Sequence, residues 1–254
     1  DVAVIRQKQL TIRGVGPRPV FHADGQSAEG KAQLVIRIGD VLIENLAFTG
    51  TRVPSLNGAG IRHEHGHLTV RRCAFVDNQN GILTANFDDA RLTIEDSEFG
   101  DAPGTEGHLD HLLYAGRIAE LTIRGSRFFR GHTGHLVKSR AKRTTLEYNL
   151  IVDSPEGQAS YEVDLPNGGI ARLVGNVIGQ SARTQNPALV SFGPESQAWP
   201  ESRLVMAHNT LVNDADVAAE FVRVWPERLP AAASVDLVNN LFVGAAAGLA
   251  AQRA

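Results

Sequence analysis

The chain has 254 residues and 43% hydrophobic content, enough for one large continuous core or two small ones. Aromatics supply only 6% while glycine reaches 25 residues, so any core is mainly aliphatic and is interrupted by many tight turns. Twenty-five Lys plus Arg against 28 Asp plus Glu leave a net charge of -3, which excludes a general electrostatic attraction for nucleic acid or an anionic membrane.

The single Cys73 excludes an internal disulfide framework and leaves the redox compartment open. No run approaches the length of a membrane span, so no membrane insertion is expected. The Asp1 start carries no basic and apolar leader, so no signal peptide is expected in this chain.

In chain order, residues 1 to 35 read as an incomplete first unit around Leu10-Thr11-Ile12. Val41-Leu42-Ile43 ending at Phe48 then opens a series continued by Leu68-Thr69-Val70 to Phe75, Leu92-Thr93-Ile94 to Phe99 and Leu121-Thr122-Ile123 to Phe128. The large apolar closing residue recurs at Ile151, Ile178, Leu211 and Phe242, each about 23 to 33 residues after the last. Most units carry a second β-prone run after a Gly or Asn turn, such as Gly81-Ile82-Leu83, Leu112-Leu113-Tyr114, Leu136-Val137-Lys138, Tyr161-Glu162-Val163, Leu189-Val190-Ser191 and Phe221-Val222-Arg223. The Ala-rich tail 244–254 reads as a terminal cap, with a short helix as one form of it.

Two residues before each closing position stand Leu46, Cys73, Ser97, Ser126, Asn149, Asn176, Asn209 and Asn240. Stacked amides can bond to one another and to the turn backbone, so this column predicts an internal polar ladder in which Cys73 is a small buried residue and not a nucleophile. Short strands with no room for helices between them exclude βαβ units. A propeller would require pairing these units into antiparallel blades, which the eight-member ladder fits poorly. The sequence therefore predicts an all-β fold, a right-handed parallel β-helix of eight or nine coils forming one domain over 1–254, with each coil holding at least two strands.

On these repeats the chain resembles the pectate-lyase-like β-helix superfamily and, more narrowly, bacterial right-handed β-helix repeat proteins. The narrower resemblance rests on Asn57-Gly58-Ala59-Gly60-Ile61-Arg62, Gly134-His135-Leu136-Val137-Lys138-Ser139-Arg140 and Ser160-Tyr161-Glu162-Val163-Asp164-Leu165-Pro166-Asn167-Gly168-Gly169. The resemblance to the wider superfamily implies an extracellular or periplasmic protein acting on polysaccharide, often by lyase chemistry. Lys138-Ser139 followed by Asn149 is similar to the Lys-Ser segment of alginate-lyase and chondroitinase-B type enzymes, which implies Lys138 as base. The glutamates that help bind calcium in those enzymes correspond here to Gly131 and Thr133, and their catalytic arginine falls near Asp164 or Leu165, so neither feature carries over.

Aligning Val137 with Val163 and Val190 sets Lys138, Asp164 and Ser191 on one outward row, with Tyr114 before and Arg223 after. Coils about 4.8 Å apart would let Lys138 and Asp164 pair, with Arg140 and Glu162 expected on the same face. Such a cluster suits uronate cleavage: a cation neutralises the carboxylate, a base takes the adjacent proton and an acid protonates the leaving oxygen. The candidate catalytic residues are Lys138, Arg140, His135, Tyr114, Glu162 and Asp164, with Ser191, Arg223 and His111 as substrate contacts. A solvated ladder of ion pairs is the competing structural reading.

Gly107-His108-Leu109-Asp110-His111 and Gly131-His132-Thr133-Gly134-His135 repeat a G-H-x-x-H pattern one coil apart. That spacing makes His108, His111, His132 and His135 candidate ligands for a divalent metal, joined by His63, His65 and Asp110 if the earlier coils stack alike. No motif requires a cofactor. Trp199 and Trp225 read as loop packing. The sequence thus points to a poly- or oligosaccharide partner and to a lyase acting on a uronate-containing glycan. A carboxylate-based hydrolase using Glu162 and Asp164 and a non-catalytic envelope module are the alternatives.

Overall fold

The computed structural model describes residues 2–184 and 186–251, with 247–251 described as backbone, and folds them as an all-β parallel β-helix. Among the described residues three parallel sheets of ten, nine and nine strands run along the solenoid. Each coil contributes one strand to each sheet, so the chain completes nine coils and adds a tenth strand to the first sheet.

The ten-stranded sheet is built from Ala3–Ile5, Ala32–Ile36, Ala59–His63, Asn80–Thr84, Leu113–Ala115, Val137–Ser139, Val163–Leu165, Ala188–Phe192, Ala219–Val224 and Ala246–Ala251. The second sheet runs from Gln9–Arg13 to Ser234–Val238 and the third from Val20–His22 to Leu241–Val243. Neighbouring strands pair in parallel with their counterparts one coil on, as in Leu92 with Leu121 and Phe99 with Phe128, which excludes antiparallel blades.

Two expectations about the ends differ. Residues 1–35 hold a strand in each sheet, Ala3–Ile5, Gln9–Arg13 and Val20–His22, so the first coil has its full set of strands. The cap expected over 244–254 does not form a helix in its described part. Ala246–Ala251 pairs with Ala219–Val224 through an irregular register, because the preceding strand offers a free backbone edge that a short alanine run can satisfy at once. Residues 252–254 lie outside the described residues.

Alternation within each strand turns one set of side chains inward, and stacking coils in register superimposes like on like. The rings of Phe21, Phe48, Phe75, Phe99 and Phe128 stack along the third sheet with successive centroids 5.5, 5.1, 4.8 and 4.7 Å apart. Each buried ring contributes about 1.5–3 kcal/mol by leaving water. Room for this stack comes from Gly60 and Gly81 on the facing corner. A Cβ on Gly60 would lie 2.9 Å from Phe75 Cδ1 and 3.0 Å from Phe48 Cβ. The glycine column continues as Leu112 in the coil of Phe128, then as Leu136 and Glu162 in the coils of Ile151 and Ile178, and as Leu189 beyond.

The polar ladder forms as the sequence implies. Cys73 N–H donates to Ser97 Oγ at 3.1 Å, Ser97 N–H to Ser126 Oγ at 3.1 Å and Ser126 N–H to Asn149 Oδ1 at 2.9 Å. From Asn149 onward each amide is read twice: Asn176 Oδ1 accepts from both the N–H and the Nδ2 of Asn149, and Asn209 and Asn240 repeat the pattern. Cys73 is fully buried and burial pushes its thiol up to about 11, consistent with a space-filling role. No helix among the described residues is long and apolar enough to cross a membrane.

Candidate functional site

The outward row of the ten-stranded sheet runs Arg62, Leu83, Tyr114, Lys138, Asp164, Ser191 and Arg223, one residue per coil. Its middle is a desolvated polar cluster. Lys138 Nζ lies 3.3 Å from Asp164 Oδ2 and 3.7 Å from Glu195 Oε1, with only 11% of the Lys138 side chain exposed. His135 Nδ1 lies 3.2 Å from the same Asp164 oxygen, and Ser191 Oγ donates to Asp164 Oδ1 at 2.9 Å.

Burial opposes the charge on Asp164, but His135, Lys138 and Ser191 outweigh it and hold the carboxyl at about 2. Asp164 is therefore an anion across the working pH range, a fixed negative centre within 3.3 Å of both a histidine and a lysine nitrogen, although His135 Nδ1 makes no aligned hydrogen bond. His111 accepts a hydrogen bond at Nδ1 from the His135 N–H at 2.9 Å, and its ring lies 4.8 Å from that of His135. Burial, with His135 and Lys138 nearby, pushes His111 well below the usual histidine range. A neutral ring accepting at Nδ1 carries its proton on Nε2, so His111 offers a donor on its other side.

Arg140, just past the strand Val137–Ser139, donates from Nε to Tyr114 Oη at 2.8 Å and from Nη1 to Asn167 Oδ1 at 3.0 Å. Both its Nη atoms engage the carboxylate of Glu195. Because arginine only donates, Tyr114 Oη must accept from Arg140, and the phenol keeps its own proton for another partner. Sequence reasoning missed Glu195. It comes from the loop after Ala188–Phe192, and strand register carries no information about where such a loop returns.

Beside Tyr114 and His111 the row opens into a cavity of about 490 Å³, a size usual for small-molecule sites. Arg62, Leu83 and Tyr114 line its floor and the loop Gly107 to His111 forms one wall. Asn57, Asn80 and Asn86 add amide groups to its lining.

Two expected members of the site do not join the cluster. Glu162 does not flank Lys138: it stands in the inward column between Leu136 and Leu189, fully buried, with neither carboxyl oxygen hydrogen-bonded among the described residues. The residue before each of these strands turns inward at a corner, which breaks the alternation that would have put Glu162 beside Asp164. Burial, with Asp153 nearby, raises Glu162 well above the carboxylate range, so it is a neutral acid inside the core and cannot supply a hydrolase with a groove-facing carboxylate. Arg223 keeps its place in the row but turns to Glu220, 3.3 Å away, and to the Trp225 ring, 5.0 Å away.

The four histidines also separate. The His111 and His135 rings lie 4.8 Å apart at a tilt of 51° on the cluster side, His132 lines a second cavity of about 310 Å³ against Gly104 and Thr105, and His108 lines both that cavity and the first. His63 is buried in the interior, where desolvation pushes it down to about 4, and His65 packs on Phe87 and lies 3.3 Å from Asp89. Asp110 turns to the N–H of Thr105. Among the described residues no three His, Cys, Asp or Glu side chains form a group suited to hold a metal ion.

Comparison with protein-family models, with curated proteins and with solved structures finds no match to the chain. The chemistry of the site is accordingly read from its own residues.

Proposed function

We propose that the groove over the ten-stranded sheet binds an oligosaccharide and that its central row performs proton transfer on it, with β-elimination from a uronate-containing glycan as the reaction. The observation that carries this reading is the desolvation of Lys138 between two carboxylates, one coil from Tyr114, which lines the cavity. An ion-pair ladder kept only for solubility stays wet, and the same protein offers one for comparison. On the second sheet Arg124 pairs with Glu147 while 56% of its side chain stays exposed.

Each group then has a task suited to its surroundings. The Asp164 anion 3.2 Å from His135 Nδ1 favours a proton on that nitrogen, which leaves Nε2 as the basic nitrogen for a proton beside the uronate carboxylate. Lys138 supplies positive charge where the enolate-like anion develops. Tyr114, its oxygen held by Arg140, has a free proton for the leaving glycosidic oxygen. His111 and the amides of Asn57, Asn80 and Asn86 contact sugar hydroxyls in the cavity. No step calls on a metal. An extracellular or periplasmic location, implied by the resemblance to the pectate-lyase-like superfamily, belongs to this proposal.

A non-catalytic binding module is the second reading. It is favoured by the way Glu195 already compensates Arg140 and Lys138, leaving no uncompensated cation in the cluster. Elimination creates a double bond absorbing near 235 nm, so absorbance growth on a panel of uronate and neutral polysaccharides separates the two. The expected outcome is growth on an acidic glycan that falls by about 10²-fold or more in folded Lys138→Ala and His135→Ala proteins. Binding of glycan without absorbance growth would leave the module.

A further inference from the structure

The loop 193–202 folds back over earlier coils and is fixed there without the help of the Glu195 side chain. Glu195 N–H donates to Pro166 O and Trp199 N–H to Asn167 O, both at 2.9 Å. Trp199 Nε1 donates to Arg140 O at 3.0 Å, and Arg117 reaches across to Gln197 O at 2.8 Å while its guanidinium covers the Trp199 ring at 3.9 Å. The Glu195 carboxylate is thus an added feature on a loop already anchored, and 40% of its side chain is exposed.

What the carboxylate does instead is fill a site. It meets the planar fork of Arg140 through both oxygens, and Lys138 Nζ stands 3.7 Å from one of them. The guanidinium is aimed by Tyr114 Oη and Asn167 Oδ1. A fork held rigid by two acceptors, with an ammonium at its side and one of those acceptors, Tyr114, also lining the cavity, is a carboxylate-binding subsite.

From this arrangement we infer that Glu195 is a built-in carboxylate ligand occupying the subsite meant for the uronate carboxylate of the substrate, and that substrate binds by displacing it. The inference rests on the proposed function and adds to it the recognised group and a means of setting affinity. Because Glu195 enters from solvent at the tip of an anchored loop, rotation of its side chain frees Arg140 and Lys138 while the backbone stays in place. Apparent affinity is then lowered by the fraction of molecules in which Glu195 occupies the fork. The internal ion also keeps two cations compensated when no substrate is present.

The test is calorimetric titration of the full chain and its Glu195→Gln variant with trigalacturonate and with maltotriose, at matched pH and salt, with thermal unfolding to confirm that the variant is folded. The expected result is trigalacturonate binding about tenfold tighter to Glu195→Gln, with maltotriose unchanged. A Glu195→Asp protein, too short to span the fork, should fall between the two. Unchanged or weaker trigalacturonate binding in the folded variant overturns the inference while leaving the groove as a glycan site. An equal gain for maltotriose also overturns it, since carboxylate exchange would not be the cause. Absence of binding of either sugar to either protein overturns the inference and the proposed function together.

Discussion

The Glu162 carboxyl is packed among leucines with no hydrogen bond from either oxygen, so folding strips its hydration and returns nothing. Leaving such a group unsatisfied costs about 1–3 kcal/mol, and Glu162→Leu, which matches the flanking Leu136 and Leu189, should recover it. The gain should depend on pH. Glu162 has its folded pKa above its ordinary value of 4.5, so its protonated form is the one folding favours; stability is fully present below that value and falls as pH rises through the raised one. Asp153, raised from 3.8 to about 6 chiefly by burial, acts in the same direction over that interval. Asp164 acts in the opposite direction: its lowered pKa adds stability above 3.8 that is lost as pH falls toward about 2. Urea unfolding at pH 5 and pH 8 should therefore show Glu162→Leu more stable than the parent chain at both, with the larger gain at pH 8. A loss of stability would mean that the carboxyl has a partner inside the core.

At the scale of a strand or ladder, energy lies in repetition, and each rung depends on the next. Asn176 bonds Leu146 O and Asn209 Oδ1 through Nδ2 and receives two bonds from Asn149, so Asn176→Ala strands several buried groups at once. The expected cost is about 2–4 kcal/mol in urea unfolding, with Asn176→Ser costing less because a hydroxyl still accepts from the preceding N–H, as Ser126 does for Ser97. Equal losses for the two variants would contradict this account of the ladder. The same repetition made much of the site legible. Once Val137, Val163 and Val190 are aligned, the row Tyr114, Lys138, Asp164, Ser191 follows from a period of two and a coil spacing, with no knowledge of loops. Glu162 was misplaced because a corner residue obeys the coil, not the strand; laid under Leu112, Leu136 and Leu189, its core position can be read from the same repeat. Glu195 and the separation of His132 from His111 and His135 were out of reach, since both depend on how irregular segments fold back on the coils.

As a whole the molecule is a stack whose three sheets differ in use. The second sheet presents exposed cross-strand pairs such as Arg124 with Glu147 and Arg203 with Asp236, suited to solvent. The ten-stranded sheet lies beneath loops from both directions, 101–112 on one side and 193–202 on the other, and between them the polar row is desolvated and opens into the cavity. Insertions at the corners of a solenoid leave the core unchanged, so a groove can be built on a regular scaffold without disturbing it. The most direct measurement of this arrangement is amide hydrogen exchange with and without saturating trigalacturonate. Slowed exchange over 107–116 and 135–140, with 91–95 and 120–124 of the second sheet unchanged, is the result expected for a glycan seated along the ten-stranded face. Protection confined to the second sheet, or none at saturation, would contradict the assignment of the site.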